Sequence, residues 1–276
     1  MSAPPPLAGV IGWPVGHSRS PAIHGHWLRR HGLPGWYVAM AVAPDRANQA
    51  LRALPSLGFA GANVTIPHKE TALAVADAAS DRARRIGAAN MLIVREGGLE
   101  ADNSDGFGFI ANLRQEAPDW RPEAGPALML GAGGAARAVA AALLDAGVPE
   151  LRVANRTRAR ADALAEALGG PITVVPWEAA EPALDGAATL VNTTSLGMEG
   201  QPPMALRLDG APPGALATDI VYTPLETPFL KAAAERGLAT VDGLGMLLHQ
   251  ARLGFAAWFG VTPEVDEDLR RAALGA

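Results

Sequence analysis

Residues 128–138, Leu-Met-Leu-Gly-Ala-Gly-Gly-Ala-Ala-Arg-Ala, constrain this chain more than any other segment. An apolar run meets a glycine turn and then an alanine-rich helix start. The order satisfies G-x-G-x-x-A, with Gly131, Gly133 and Ala136 at the three small positions. Such a strand–turn–helix unit needs parallel neighbours, and the sequence supplies them. Strand Ala127–Leu130, strand Leu151–Ala154, helix Arg158–Leu168, strand Ile172–Val175 and strand Thr189–Val191 are expected in turn. Strand Leu216–Val221, helix Glu226–Arg236 and strand Ala239–Val241 follow. Regular alternation predicts parallel strands with right-handed crossovers, a Rossmann-type sheet.

The first half also alternates, so the fold class is α/β. Ala8–Trp13, Tyr37–Val42, Ala62–Ile66 and Asn90–Arg95 read as strands, the last turning at Gly97-Gly98. Pro21–His31 and Asp45–Leu57 read as helices. Pro, Gly and acidic residues crowd Ala117–Pro126, a break before the Rossmann segment. Helices from Gly243 onward have no strand left to serve, which sends them back toward the first domain.

The chain has 276 residues, 49% hydrophobic and 18% charged, enough for two ordinary globular domains. A formal charge of −5 argues against a nucleic-acid partner. There is no cysteine, which removes disulfides, thiolate nucleophiles and cysteine-bound zinc and fits a cytoplasmic protein. The three prolines within Met1–Pro6 do not make a signal peptide, and no apolar run reaches the ~18 residues of a membrane span. His24-x-His26 has the wrong spacing for one helix face, so no metal is expected.

The glycine turn brings backbone close to a pyrophosphate and aims a helix N-terminus at it. Gly131, Ala132, Gly133, Gly134 and Ala135 are the candidate contacts; a purely structural turn in an alanine-rich protein is the alternative. The end of the second strand decides the nucleotide. An acid there would take ribose hydroxyls. This chain instead reads Ala154-Asn155-Arg156-Thr157-Arg158-Ala159-Arg160. Arg156 and Arg160 can bracket a 2′-phosphate, which favours NADP; the alternative is a solvated basic turn capping a helix at Thr157.

Lys69 is one of only two lysines, the other being Lys231. Arginine stays protonated, whereas a lysine can exchange a proton, so a lysine beside Asn63 and Thr65 points to proton transfer. A solvated lysine in a helix opened by Pro67 is the alternative. Ser18 and Ser20 stand two apart. In an extended segment both hydroxyls point the same way, with Ser20 as N-cap and Pro21 as first helical residue, a setting for a carboxylate. Asn63 and Thr65 repeat the spacing at a strand end. Asp102-Asn103-Ser104-Asp105-Gly106 precedes an apolar helix, and either acid could be a helix-start residue. A carboxylate near Lys69 would position its ammonium.

The ordered set resembles the shikimate dehydrogenase family. It comprises Ser18-x-Ser20-Pro21, Asn63 to Glu70, Gly87-Ala88-Ala89-Asn90, Asp102 to Gly106, Gly131 to Ala135, Asn155-Arg156-Thr157, Asn192 to Ser195, Thr227 to Leu230 and Asp242 to Leu247. The resemblance implies an NADP-dependent oxidoreductase interconverting 3-dehydroshikimate and shikimate, a small-molecule substrate, as a monomer or homodimer. It implies Ser18, Ser20 and Tyr222 at the substrate carboxylate. Asn63, Thr65, Asn90, Asp105 and Gln250 would take the ring hydroxyls. Lys69 would be the proton donor and acceptor with Asp105, and Ile220 and Gly243 would lie by the nicotinamide. It further implies a discontinuous α/β substrate domain, residues 1–105 with 243–276, around a Rossmann NADP-binding domain of residues 106–242. Met91 stands where the family usually has threonine, and His68 where phenylalanine is frequent; the first makes the pocket wall less polar and the second could alter the pH profile.

Two other readings compete. One is a quinate/shikimate dehydrogenase of the same family preferring NAD, against which Arg156 and Arg160 speak. The other is a nucleotide-sensing binding protein without catalysis, which would need neither Lys69 nor Asp105.

Overall fold

The computed structural model describes residues 4–275. It contains two compact units, one running to Ser104 and resuming at Leu248, the other spanning Asp105–Leu247.

In the first unit the elements are β1 (Leu7–Gly12), α1 (Ser20–Arg30), β2 (Trp36–Ala41), α2 (Ala47–Ala53), β3 (Phe59–Val64), α3 (Lys69–Val75), β4 (Ala78–Ala79), α4 (Asp81–Ile86), β5 (Met91–Arg95) and β6 (Gly98–Asp102). They form a six-stranded sheet in the order β2-β1-β3-β5-β6-β4. β2 and β3 flank β1 in parallel, while β5 runs antiparallel to β3 and β6. This sheet is mixed because β5 and β6 form a hairpin closed over Gly97 and Gly98, the latter at φ +115°. The core beside it gathers Ile11, Leu51, Leu54, Val64, Val75, Leu92 and Leu99.

The second unit holds α5 (Asp105–Glu116), β7 (Ala127–Leu130), α6 (Gly134–Ala146), β8 (Leu151–Ala154), α7 (Arg158–Leu168), β9 (Ile172–Val175), β10 (Thr189–Asn192), β11 (Leu216–Asp219), α8 (Pro228–Glu235) and β12 (Ala239–Val241). Its sheet is wholly parallel, ordered β12-β11-β10-β7-β8-β9. Counting its own strands from one, that is the doubly wound order 3-2-1-4-5-6 read from the other edge. Strand periodicity builds two cores. Ala127, Met129, Leu151, Val153, Val191 and Leu216 face one; Leu128, Leu130, Ala154, Leu190 and Ala217 face the other. α5 lies close on α6 at Gly106, where a Cβ would sit 2.8 Å from the Ala138 carbonyl oxygen.

α9 (Leu244–Phe259) begins in the second unit and ends in the first, followed by α10 (Glu267–Leu274). Its later turns bring Phe255 and Trp258 against His24 of α1 and Tyr37 of β2, and Trp258 Nε1 donates to the Leu92 carbonyl at 3.1 Å. Among the described residues no helix is long and apolar enough to cross a membrane.

Several boundaries differ from expectation for local reasons. The helix expected from Asp45 to Leu57 is a 3-10 turn, Pro44–Arg46, followed by α2 alone. Pro55 has no N–H to extend it. β11 stops at Asp219, not Val221, because the Val221 N–H turns back to the Asp219 carboxylate at 2.9 Å. α8 starts at Pro228, with the Thr227 hydroxyl capping the Leu230 N–H at 3.3 Å.

Candidate active site

The Ser18–Ser20 segment is not extended. Ser18 N–H donates to the Val15 carbonyl at 3.0 Å, closing a turn over Gly16 and His17. Arg19 then adopts a helical conformation (φ −82°, ψ −9°) and is itself the N-cap, so Ser20 is the first residue of α1. The cap expected at Ser20 therefore falls one residue earlier, and Ser18 Oγ accepts the Ser20 N–H at 3.3 Å. Ser20 is buried and Ser18 partly exposed.

Asn63 lies on β3, opposite Met91 of β5, and is buried. Its Oδ1 accepts the Tyr37 hydroxyl at 2.7 Å and its Nδ2 donates to the Asn90 carbonyl at 3.3 Å. Thr65 follows the strand and keeps its pairing, its N–H donating to the Ile11 carbonyl at 2.9 Å. The Asn90 side chain donates to Ser104 Oγ at 3.0 Å and to Gln250 Oε1 at 3.3 Å, and accepts the Ser104 N–H at 2.8 Å. Asn63, Asn90 and Gln250, 187 residues apart at their extremes, thus form one connected polar surface within the first unit. Ser104 and Tyr37 belong to it too, and sequence reasoning missed both. Ser104 sits inside the quoted Asp102–Gly106 motif, a signal that could have found it; Tyr37 carries no local signal.

Lys69 opens α3, partly exposed, and its carbonyl accepts the Ala89 N–H at 2.9 Å, tying it to the Asn90 turn. His68 is buried, with its Nε2–H donating to the Val42 carbonyl at 2.8 Å. Asp102 is held by Arg82, by the Ser80 hydroxyl at 2.5 Å and by the Asn103 N–H at 2.7 Å. Burial works against its charge, but Arg82, Ser80 and Asn103 together keep its carboxyl below the usual range. Asp102 is thereby occupied in fixing the turn that leads to Asp105, which opens α5 in the second unit and is buried.

In the second unit β7 runs into Gly131, at φ +112°, where a Cβ would lie 2.5 Å from Thr193 Oγ1. Only glycine fits that close approach of the β7 and β10 ends. Gly133 is the N-cap of α6 and offers no side-chain cap; Cβ atoms on Gly133 and Gly134 would meet nothing within 4 Å. Ala132 is buried and Ala135 partly so, while Ala136 is fully buried in the core at the third small position. The helix start is therefore open to an anion and lined by backbone N–H groups. At the end of β8 the Asn155 side chain donates to the Thr157 carbonyl at 2.8 Å, shaping the turn that ends at the α7 N-cap, Thr157. Arg156 and Arg160 are exposed and, among the described residues, bridge to no carboxylate, whereas Arg158 pairs with Asp162. An open helix start, two uncommitted guanidinium groups and no acid at the strand end fit a dinucleotide bearing a 2′-phosphate.

Ile220 and Gly243 are brought together: a Cβ on Gly243 would lie 2.5 Å from the Ile220 carbonyl. Beneath them the buried Asp219 accepts from Asn192 Nδ2 at 3.0 Å, Thr227 Oγ1 at 2.8 Å and Val221 N–H. Burial still outweighs these donors and raises its pKa. Tyr222 follows, partly exposed.

Three family models match: a shikimate dehydrogenase substrate-binding domain over residues 10–92, shikimate/quinate 5-dehydrogenase over 119–197, and a shikimate 5′-dehydrogenase C-terminal domain over 243–272. The chain is 64% identical to the shikimate dehydrogenase (NADP(+)) of Rhodospirillum rubrum, covering 98% of this chain and 97% of that protein. It belongs to the shikimate dehydrogenase family. Its fold overlays the shikimate 5-dehydrogenase of Thermus thermophilus, solved with NADP(H) and shikimate, at TM-score 0.87 and 41% identity, over 98% of this chain and 99% of that one. The quinate dehydrogenase of Corynebacterium glutamicum, solved with NAD, overlays at TM-score 0.92 but 30% identity, over 99% and 100%. The family's two nucleotide choices make the β8 end the informative position.

Proposed function

We infer that this chain is an NADP-dependent shikimate dehydrogenase, an oxidoreductase that reversibly reduces the ketone of 3-dehydroshikimate to the hydroxyl of shikimate, a step of aromatic amino-acid biosynthesis. One observation carries the cofactor choice: β8 runs into Asn155-Arg156-Thr157 beside an open glycine turn, with no acid. The same feature weighs against the NAD-preferring reading. In this proposal residues 1–105 with 243–276 chiefly serve the substrate and residues 106–242 chiefly the cofactor, with Tyr222 and Gly243 as the exceptions, and the enzyme is cytoplasmic, a monomer or homodimer.

When bound, the reduced nicotinamide supplies the hydride. Gly131 to Ala135 and the start of α6 would hold the pyrophosphate, Asn155, Arg156, Thr157 and Arg160 would hold the adenosine phosphate, and Ile220 and Gly243 would lie by the nicotinamide. Ser18, Ser20 and Tyr222 hold the substrate carboxylate. Asn63, Thr65, Asn90, Asp105 and Gln250 take the ring hydroxyls, which the Asn63–Asn90–Gln250 network supports. As the ketone becomes an alkoxide, Lys69 delivers a proton from its ammonium. In the reverse direction it takes the hydroxyl proton as neutral amine, with Asp105 positioning it.

Steady-state kinetics of the Arg156→Ala variant test the cofactor assignment. Losing a charge-assisted contact worth roughly 1.5–3 kcal/mol raises the KM for NADP about 10–100-fold and leaves that for NAD within about two-fold. Equal weakening of both cofactors would overturn the assignment.

A further inference from the structure

We propose that Tyr37 is a positioning residue for the substrate site: its hydroxyl fixes the orientation of the Asn63 carboxamide so that a side-chain N–H is presented to a ring hydroxyl. The inference rests on the assignment of Asn63 to substrate binding. Its own basis is a set of contacts that bulk packing does not require. Tyr37 sits on the edge strand β2, yet its hydroxyl reaches Asn63 Oδ1 at 2.7 Å on β3. A carboxamide has one acceptor end and one donor end. With Oδ1 on the Tyr37 hydroxyl at 2.7 Å and one Nδ2 proton on the Asn90 carbonyl at 3.3 Å, the carboxamide is held in one orientation, and its second Nδ2 proton is the donor it has left for a ligand. The Ser20 side chain stands near the Tyr37 hydroxyl, so one phenol neighbours two proposed substrate anchors on two elements.

The ring that carries this hydroxyl is clamped. His24 lies flat on it, centroids 3.9 Å apart and planes 2° from parallel, and is itself fully buried against Trp27, Phe255 and Trp258. Neither His24 ring nitrogen makes a well-formed hydrogen bond, although the Asn63 side chain stands near. Burial pushes its pKa down to about 3, so at working pH it is a neutral aromatic plate. A plate with both polar atoms poorly satisfied is costly to bury. Its position against Tyr37 gives it a use: it limits the tilt of the phenol and hence the reach of the hydroxyl.

A double-mutant cycle on the full chain tests the inference, with shikimate and NADP dissociation constants and Tm measured for wild type, Tyr37→Phe, Asn63→Ala and the pair. Phenylalanine keeps the ring stack and removes only the hydroxyl. The expected result is a shikimate Kd raised about 3–10-fold by Tyr37→Phe, an unchanged NADP Kd, and less than about two-fold further effect of Tyr37→Phe once Asn63 is alanine. The same fold-change in both backgrounds would overturn the proposal, because Tyr37 would then act independently of Asn63. Parallel loss of shikimate and NADP affinity would also overturn it, as a general packing effect. An Asn63→Ala variant that binds shikimate like wild type would instead refute the assignment of Asn63 itself.

Discussion

Lowering the pH should destabilise this protein well before its carboxylates titrate, because two buried histidines are held neutral. Burial lowers His24 from 6.5 to about 3, and burial together with Arg252 lowers His249 from 6.5 to about 4. In the unfolded chain both titrate near 6.5. Above that pH they are neutral in both states and cost nothing. As pH falls through 6.5 the unfolded chain takes up two protons that the native state refuses, so stability is lost progressively toward pH 3–4. Each contributes about 1.4 kcal/mol per pH unit within that window, hence about 2 kcal/mol apiece by pH 5. A combined loss of about 4 kcal/mol is a large share of a typical 5–15 kcal/mol stability. Urea unfolding between pH 7.5 and 5 reads it directly. His24→Phe should remove about half the slope whatever it does to stability at pH 7.5, since an overpacking penalty is independent of pH. A flat profile, or a full slope in His24→Phe, would refute the reasoning.

Other outcomes follow from the site. Ser18→Ala and Ser20→Ala should raise the shikimate KM about 10-fold or more with kcat nearly unchanged, because a carboxylate contact is present in ground and transition states alike; a collapse of kcat at constant KM would give the serines another role. Gly131→Ala should lower Tm and weaken NADP binding, since φ +112° and a Cβ 2.5 Å from Thr193 Oγ1 force the turn to move, at a cost of about 1–3 kcal/mol for the backbone conformation alone; an unchanged NADP Kd in a folded variant would contradict the close approach. The Arg156→Ala effect should grow weaker at high salt, because exposed charge pairs are screened; titrations at low and high ionic strength check it.

The second unit was legible because its information is local. A buried parallel strand shows as an apolar run, and β7, β8 and β9 were read to the residue. The first unit was harder. β6 carries Glu100 and Asp102 among its five residues and pairs as a hairpin partner, so no apolar run marks it. The Ser18–Ser20 geometry was misjudged because a Val15–Ser18 turn, not residue spacing, sets it. Tyr37 lay beyond reach altogether: its bond to Asn63 spans 26 residues and two strands, and only folding brings the phenol to the carboxamide.

Proton transfer by Lys69 is the central chemical claim, and Lys69→Arg tests it most directly. Arginine keeps the charge and the hydrogen-bonding capacity but cannot shuttle a proton near neutral pH. Steady-state oxidation of shikimate by NADP, wild type against Lys69→Arg, should show kcat reduced by about 10²–10⁴ with the shikimate KM within a few-fold. An arginine variant with near wild-type kcat would contradict the claim, leaving Lys69 an electrostatic anchor and the proton to another group.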